Sequence, residues 1–252
     1  MPLTIVTHNL FWLQGAPFEG TDPGAARPEI LAALAECYRP LEPDVVCVQE
    51  LQSESAFSQF ANALERDGFY CAGNAHRAYG GAILFRHGRF VAQSVQTAIA
   101  AERFWMKIEL TAGAWDGLIV ANAHLPSGRQ TSPDEARRRR LDELTALVSH
   151  LPRPDVVTGD FNEPPGGSAH ELMTSLGYID AALPSGAGAI GTNAAGQNRR
   201  IDYIWLDRKL APALAGYEVL LAERLADPSG KKKFLSDHLP VIARLKSVEP
   251  RS

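Results

Sequence analysis

Short apolar runs alternate along the chain with segments in which apolar residues recur at helical spacing. The runs are rich in Val, Ile and Leu and predict β-strands over residues 3–7, 44–48, 69–72, 81–85, 104–110, 118–123, 156–158, 201–206, 217–221 and 239–245. The helical spacing predicts helices over residues 30–38, 53–66, 132–149 and 169–175. Glycine- or proline-rich loops are predicted over residues 15–28 and 186–196. Strands interleaved with helices in this way indicate an α+β protein.

The short sequence Pro-Asp-Val-Val occurs at residues 43–46 and again at residues 154–157. Each copy follows a helix, and that helix follows a strand ending in a polar residue, Asn9 in the first case and His124 in the second. Each copy also leads to an acid, Glu50 or Asp160. Val-Val after Pro-Asp is a common way to begin a strand, but the repeated flanking order favours two similar halves. We therefore expect a four-layer α/β/β/α sandwich, with two mixed β-sheets packed face to face, as one domain over residues 1–252.

Composition and charge exclude several classes of protein. The chain has 252 residues, 45% of them apolar, and 25 basic against 29 acidic residues give a net charge of −4. This apolar content argues against disorder, and the acidic balance argues against a protein that coats nucleic acid or a membrane surface. No apolar run approaches the roughly 18 residues of a transmembrane helix. The 3 cysteines suggest no disulfide framework, and the first residues lack the features of a signal peptide, so a cytoplasmic location is predicted.

Polar residues that no local turn explains stand where several predicted strands end. The ends of strands are a common place for active sites in α/β proteins. Taken singly, each such residue is more often a turn residue or a hydrogen-bonded buried histidine than a functional group. The set comprises Asn9, Glu50, His124, Asp160, Asn162, Asp202, Asp237 and His238.

Several of these residues are carboxylates, and their convergence on one edge would require a cation. Two carboxylates about 5 Å apart repel by roughly 3 kcal/mol at an effective dielectric constant near 20. Oxygen ligands from Glu, Asp and Asn suit Mg²⁺ or Mn²⁺, whereas zinc prefers His or Cys. Magnesium usually completes its shell with water and substrate phosphate, and histidines oriented by carboxylates can donate to phosphate oxygens. The set therefore predicts a metal-dependent site that hydrolyses a phosphate ester.

Three motifs, in their order and spacing, resemble those of the endonuclease/exonuclease/phosphatase superfamily, which has the DNase I-like fold. They are Gln49-Glu50, Gly159-Asp160-Phe161-Asn162 and Ser236-Asp237-His238. The resemblance covers nearly the whole chain, and His124 lies between the first two motifs. It implies the same four-layer sandwich, Mg²⁺ or Mn²⁺ as cofactor, and phosphate-ester substrates that include nucleic acid.

The resemblance also implies a role for each acidic and amide residue around the metal. Glu50 would be the principal metal ligand, with Asn9 helping to hold metal and phosphate and Asp237 near the metal, directly or through water. Asp160 would position and activate the attacking water. Asn162 would hydrogen-bond that water or a phosphate oxygen.

The two histidines carry the remaining implied roles and place the chain within the superfamily. His238, kept protonated by Asp202, would stabilise the charge that develops on the phosphate oxygens, and His124 would donate to phosphate or assist the leaving group. The AP-endonuclease relatives have an acid where this chain has Phe11 and an Asn where it has His124. The sequence is therefore more similar to the branch that contains DNase I, neutral sphingomyelinases, deadenylases and inositol-phosphate phosphatases, and abasic-site repair is disfavoured.

Three basic groups lie near the motifs, at residues 137–140, 199–200 and 231–233. Most of these side chains are expected on solvated surfaces, and Arg200 and Lys233 are the best placed to bind a polyanionic substrate. Tyr79 is a further candidate for phosphate binding, with packing as its alternative. Trp12 either stacks on a base or lines the core, and a buried tryptophan is the more frequent case.

Three functions fit these residues. The first is a Mg²⁺- or Mn²⁺-dependent hydrolase that cleaves phosphodiester bonds, in nucleic acid or a related molecule. The second is a phosphomonoesterase, or a hydrolase of lipid headgroups or inositol phosphates, with the same site. The third is a binding module that has lost catalysis, which the complete set of site residues argues against. The sequence carries no signal for an oligomeric state.

Overall fold

The computed structural model describes residues 1–20, 22–97, 101–111, 113–129, 131–194 and 199–247. Its strands form two six-stranded mixed sheets. The first sheet contains β1 (Leu3–Asn9), β2 (Val45–Leu51), β3 (Arg66–Cys71), β4 (Gly80–Arg86), β11 (Leu214–Val219) and β12 (Val241–Leu245), in the order β11-β12-β1-β2-β4-β3. The second contains β5 (Ala92–Thr97), β6 (Phe104–Leu110), β7 (Leu118–His124), β8 (Val156–Asp160), β9 (Tyr178–Asp180) and β10 (Asp202–Asp207), in the order β5-β6-β7-β8-β10-β9.

The helices cover the outer faces of the two sheets. Helices α1 (Pro28–Tyr38) and α2 (Glu54–Leu64) pack together against the first sheet, and helices α3 (Pro133–Ser149) and α4 (Ser168–Ser175) pack together against the second. Leu144 and Leu147 of α3 are fully buried in a cluster with Trp105 and Trp205 of the second sheet. This arrangement confirms the predicted α/β/β/α sandwich. In the part of the chain that the structure describes, no helix is long and apolar enough to cross a membrane.

The inner faces of the sheets meet through apolar side chains and through a buried polar bridge between Gln49 and Asn122. The amide of Gln49 on β2 donates to Oδ1 of Asn122 on β7 at 2.7 Å. Asn122 donates in turn to the backbone carbonyls of Val48 and Ala82 in the first sheet, at 2.9 and 3.0 Å. Since buried amides are costly without partners, this bridge specifies how one sheet is placed on the other.

The two Pro-Asp-Val-Val segments have equivalent positions, which confirms the two similar halves. The Val-Val of each segment begins a strand that runs parallel to an earlier one, β2 beside β1 and β8 beside β7. The backbone N–H and side chain of Asp44 both bond to Thr4, at 2.8 and 2.9 Å, and those of Asp155 both bond to Ile119, at 2.9 Å each. The aspartate of the repeated sequence therefore anchors the start of a parallel strand in both halves.

Some predicted element boundaries are wrong. Helix α2 ends at Leu64 rather than at residue 66, because Glu65 adopts a left-handed conformation (φ 55°) and Arg66 begins β3. The two edge strands β5 and β9 were not predicted, because β5 is mostly polar and β9 has only 3 residues. Strand β11 lies earlier than the predicted 217–221, and β12 begins only after Pro240. Residues 195 and 196 of the predicted loop 186–196 lie outside the described residues.

Candidate active site

The strand ends of both sheets meet at one edge of the sandwich, around a cavity of about 550 Å³. Strand pairing places His124 opposite Asp160, and Asp160 opposite Asp202. Predicted site residues that line the cavity are Glu50, Tyr79, Asp160, Asn162, Asp237 and His238. Asn9, His124 and Asp202 are fully buried, and each contacts one of these lining residues.

His238 and Asp202 form a buried ion pair on one side of this cavity. His238 Nδ1 lies 2.9 Å from Asp202 Oδ2, which also accepts a hydrogen bond from the Thr192 hydroxyl at 2.6 Å. Burial acts to lower the pKa of His238, but the carboxylates of Asp202, Asp160 and Asp237 outweigh it and hold the pKa well above its ordinary value. His238 is therefore an imidazolium at neutral pH. With Nδ1–H donated to Asp202, its Nε2–H can donate to an anion in the cavity.

Asp160 is held in place by the side-chain amide of Asn9 and by the backbone N–H of Asn162. Asn9 Nδ2 donates to Asp160 Oδ2 at 3.1 Å, and the backbone N–H of Asn162 donates to Asp160 Oδ1 at 2.8 Å. Asn162 itself has a left-handed backbone (φ 51°), and its side-chain amide donates to Leu125 O at 3.0 Å. These bonds fix the carboxylate with lone pairs left for a cavity ligand.

His124 lies behind Asp160 rather than in the wall of the cavity. Its Nε2 contacts the Arg103 guanidinium and lies 3.3 Å from Asp160 Oδ2. Complete burial, followed by the charges of Arg103 and His238, holds the pKa of His124 well below its ordinary value. This histidine is therefore neutral, in contrast to His238.

Glu50 and Asp237 each carry a buried carboxylate oxygen, Oε2 and Oδ1, to which none of the described residues donates a hydrogen bond. Burial raises the pKa of Glu50 to about 7 and also raises the pKa of Asp237. Unpaired buried carboxylates are costly unless a cation neutralises them, and carboxylate oxygens suit a hard divalent cation. These two residues therefore fit a Mg²⁺ or Mn²⁺ ion. Asp160, Asp202 and His238 also form a close acidic and histidine cluster, but Asp202 and His238 already bond to each other.

The arginines that line the cavity differ from those predicted. Arg103 and Arg129 line it and belong to no predicted basic group. Arg199 also lines it and comes from the predicted group at residues 199–200, although it was not chosen as a substrate ligand. Arg200 instead lies buried against Asp180, with Nη2 2.6 Å from Oδ2. Lys233 is exposed over the ring of Phe234 and does not line the cavity.

Arg140, from the run of arginines at residues 137–140, also reaches the cavity. It donates to Glu163 Oε1 at 3.1 Å, and Glu163 caps the first turn of α4 through the backbone N–H of Ala169. The buried pair therefore joins α3 to α4 and has little charge left for a substrate. Its neighbours Arg138 and Arg139 form surface ion pairs, as the expectation of a solvated face implied.

Aromatic residues form another part of the cavity wall. Phe11, Trp12 and Leu13 all have left-handed backbone conformations, with φ of 49°, 52° and 56°. Such a conformation costs roughly 1–2 kcal/mol for each L-residue, so tertiary contacts must hold the turn. Tyr79 packs edge-on against Trp12 at 5.1 Å, and the Arg103 guanidinium lies 4.5 Å from the centre of the Tyr79 ring. Trp12 is thus mostly buried, yet it also lines the cavity.

Solved structures with the same fold cover almost the whole chain. An endonuclease/exonuclease/phosphatase from Beutenbergia cavernae is 18% identical, with 99% of this chain and 72% of that chain covered and a TM-score of 0.71. A mannosyl-6-phosphatase from Bacteroides thetaiotaomicron is 18% identical, with 96% and 98% covered and a TM-score of 0.65. D. rerio TDP2 complexed with a single-strand DNA product is 16% identical, with 96% and 98% covered and a TM-score of 0.67.

Sequence comparison gives the family. No curated protein has a significant sequence match to the chain. The model of the Endonuclease/Exonuclease/phosphatase family, however, matches residues 6–238, which include every strand-end residue of the cavity. This chain belongs to the endonuclease/exonuclease/phosphatase family.

Proposed function

We propose that this protein is a Mg²⁺- or Mn²⁺-dependent hydrolase that cleaves phosphodiester bonds by attack of water. The observation that carries the proposal is that one cavity holds carboxylate oxygens without hydrogen-bond donors among the described residues, on Glu50 and Asp237, together with a His238 imidazole paired to the buried Asp202. The first feature fits a divalent cation and the second fits the charge of a phosphate. A cytoplasmic location is part of the proposal, since the three cysteines are free thiols.

Glu50, Asp237 and Asn9 are the proposed residues around the metal. A divalent cation bound there supplies Lewis-acid stabilisation of negative charge on a phosphate. Glu50 contributes an anionic oxygen without a competing hydrogen bond, and Asn9 keeps Asp160 oriented through its 3.1 Å hydrogen bond. Asp237 lines the same cavity next to His238.

Asp160, Asn162 and His238 are proposed to act on the reacting groups. Asp160 accepts a hydrogen bond from the attacking water and takes up its proton, because its carboxylate is fixed by Asn9 and by the Asn162 backbone. Asn162 lines the cavity, where its side chain can contact the water or a phosphate oxygen. His238 donates its Nε2–H to the phosphate oxygens, where negative charge increases in the transition state.

His124 and the arginines complete the proposal. His124 is proposed to orient Asp160 from behind, because its Nε2 lies 3.3 Å from Asp160 Oδ2 and the residue does not line the cavity. The role at a phosphate or the leaving group that the family resemblance implies stays a prediction. Arg103, Arg129 and Arg199 line the cavity and are proposed to bind substrate phosphates together with Tyr79. Arg200 and Lys233 have no such proposed role, because one is paired with Asp180 and the other lies outside the cavity.

The alternative is a phosphomonoesterase, including hydrolysis of a sugar, inositol or lipid-headgroup phosphate. The same cation, imidazolium and arginines suit a terminal phosphate, and one structural relative is a mannosyl-6-phosphatase. The preference for a diester rests on the two exposed arginines, Arg129 and Arg199, which extend the positive lining of the cavity beyond the buried centre.

The test is a panel of substrates with Mg²⁺ or Mn²⁺. We expect hydrolysis of bis(p-nitrophenyl) phosphate and of single-stranded DNA or RNA, and little hydrolysis of p-nitrophenyl phosphate. Glu50→Gln and His238→Ala should each lower kcat at least a hundredfold, while the exposed controls Glu54→Gln and His87→Ala retain wild-type rates. Preferred hydrolysis of monoesters would favour the alternative, and full activity in EDTA or in either site variant would exclude the mechanism.

A further inference from the structure

An aromatic surface stands beside the residues proposed to bind metal and water. Phe11 is half-buried and lines the same cavity as Glu50 and Asp160. Its backbone N–H donates to Asn9 Oδ1 at 3.0 Å, and the other end of that amide donates to Asp160 at 3.1 Å. The backbone of Phe11 is therefore linked through the Asn9 side chain to the carboxylate proposed to activate water.

The turn that carries Phe11 is held by several hydrogen bonds. The carbonyl of Trp12 accepts from the side-chain amides of Gln52 and Gln14, at 2.7 and 3.2 Å, and the Trp12 indole donates to Ala78 O at 2.9 Å. The Trp12 ring lies 5.4 Å from the Phe11 ring, tilted by 30°. A ligand that stacks on this rigid surface loses little free energy in ordering it.

Cations share the cavity with these rings. Arg103 lies over Tyr79, while Arg129 and Arg199 are exposed in the lining. Proteins hold single-stranded nucleic acid by interleaving rings that stack on bases with cations that contact phosphates. An inositol phosphate or a lipid headgroup has no planar ring for Phe11, so the aromatic wall favours a nucleotide chain over these substrates.

We propose that Phe11, backed by Trp12, stacks on the nucleobase next to the scissile phosphate, and that the substrate class is single-stranded nucleic acid. This inference rests on the proposed phosphodiesterase function and narrows it. In a duplex, neighbouring base pairs cover the faces of each base, so the contact with Phe11 requires an unpaired strand.

The test combines substitution of Phe11 with deletion of one base from the substrate. Single-stranded oligonucleotides carry one cleavable phosphodiester, with the nucleotide on either side replaced in turn by an abasic analogue. In the wild type, one of the two replacements should lower kcat/KM about 5- to 150-fold, the range for one stacked base. Phe11→Ala should lower kcat/KM on the intact strand by a similar factor, and the same base deletion should then change its rate less than threefold.

Two further variants separate the loss of the Phe11 ring from any effect of the substitution on folding. Phe11→Tyr should restore the dependence on the base, and Phe57→Ala, a half-buried phenylalanine outside the cavity, should show the full wild-type dependence. Equal losses from base deletion in the wild type and in Phe11→Ala would overturn the inference while leaving the phosphodiesterase function intact. A wild type that cleaves no phosphodiester at all would instead refute the proposed function. In that case binding of intact and abasic strands in Ca²⁺ decides the inference, and equal affinities overturn it.

Discussion

Glu143 offers a test of how burial controls stability in the helical layer behind the site. It lies on α3 with only 7% of its surface exposed. One carboxylate oxygen accepts the backbone N–H of Glu102 at 2.8 Å, and the other has no hydrogen-bond partner among the described residues. Burial raises the pKa of Glu143 from an ordinary value of 4.5 to about 7. In the folded protein this carboxyl therefore keeps its proton at a pH where the unfolded chain has lost it.

The direction in which Glu143 changes stability with pH follows from this difference between its folded and unfolded pKa values. The unfolded state releases the proton more easily, so the contribution of Glu143 to stability falls as pH rises from about 4.5 to about 7 and then stays constant. At 1.36 kcal/mol for each pKa unit, the full penalty is about 3 kcal/mol, of which roughly 2–3 kcal/mol develops between pH 5 and pH 8.5. Glu143→Gln keeps the acceptor for Glu102 and removes the ionisation.

We therefore expect Glu143→Gln to gain roughly 2–3 kcal/mol over the wild type between pH 5 and pH 8.5. The measurement is urea unfolding followed by circular dichroism at both pH values. The control is Asp142→Asn, the next residue on α3, which is exposed and loses only a surface pair with Arg138. This control should change stability by less than about 1 kcal/mol, equally at both pH values. A Glu143→Gln difference that does not depend on pH would refute the reasoning.

Three further predictions concern the strand anchors, the ion pair and the metal. Asp44→Ala and Asp155→Ala should each lower the free energy of unfolding by about 1–3 kcal/mol, because each removes the acceptor of a backbone N–H, part-buried on Thr4 and buried on Ile119. Urea unfolding measures the loss, and unchanged stability in either variant would contradict the prediction. The Thr192 hydroxyl donates to Asp202, which in turn pairs with His238, so Thr192→Val should lower kcat at least tenfold with KM changed less than twofold. Thr192→Ser keeps the hydroxyl and should retain activity. An unchanged kcat in Thr192→Val would show that Asp202 does not need this hydroxyl. Addition of 5 mM Mg²⁺ should raise the Tm of the EDTA-treated wild type but not that of Glu50→Gln, and an equal rise in both would place the ion elsewhere.

Much of the architecture was predictable because its signals are local. Apolar runs that end in a polar residue identified the central strands, and the repeated Pro-Asp-Val-Val sequence identified the two halves. Side chains at strand ends were also predictable as a group, since parallel register brings His124 and Asp160 together without further information. The strands that were missed, β5 and β9, give no strong apolar pattern, because β5 is mostly polar and β9 has only 3 residues.

The sequence did not predict which basic residues line the cavity. Arg199 and Arg200 are adjacent, yet Arg199 lines the cavity and Arg200 is buried. The partner of Arg200 is Asp180, which lies on β9, one of the strands that were not predicted. Arg103 and Arg129 belong to no predicted basic group, and they reach the cavity from the residue before β6 and from the loop after β7. Assigning a cation to a substrate thus requires its tertiary partners.

The two pairs of parallel strands, β1 with β2 and β7 with β8, carry different functional groups at equivalent positions. Strand register makes Asn9 equivalent to His124 and Gln49 equivalent to Asp160, because Leu10 bonds to the carbonyl of Gln49 as Leu125 bonds to that of Asp160, each at 2.9 Å. The two acids that end the repeated segments are therefore not equivalent.

Glu50 corresponds instead to Phe161, which follows β8 and is buried in the apolar cluster between the second sheet and its helices, so only the first half places an acid there. At the equivalent positions of Gln49 and Asp160, it is the second half that carries the acid. Gln49 in the first half is an amide that bridges the sheets, whereas Asp160 in the second half places a carboxylate in the cavity. The backbone arrangement shared by the two strand pairs fixes the positions of these side chains. Divergence at equivalent positions separates the proposed metal ligand from the proposed base, so that neither half alone carries both.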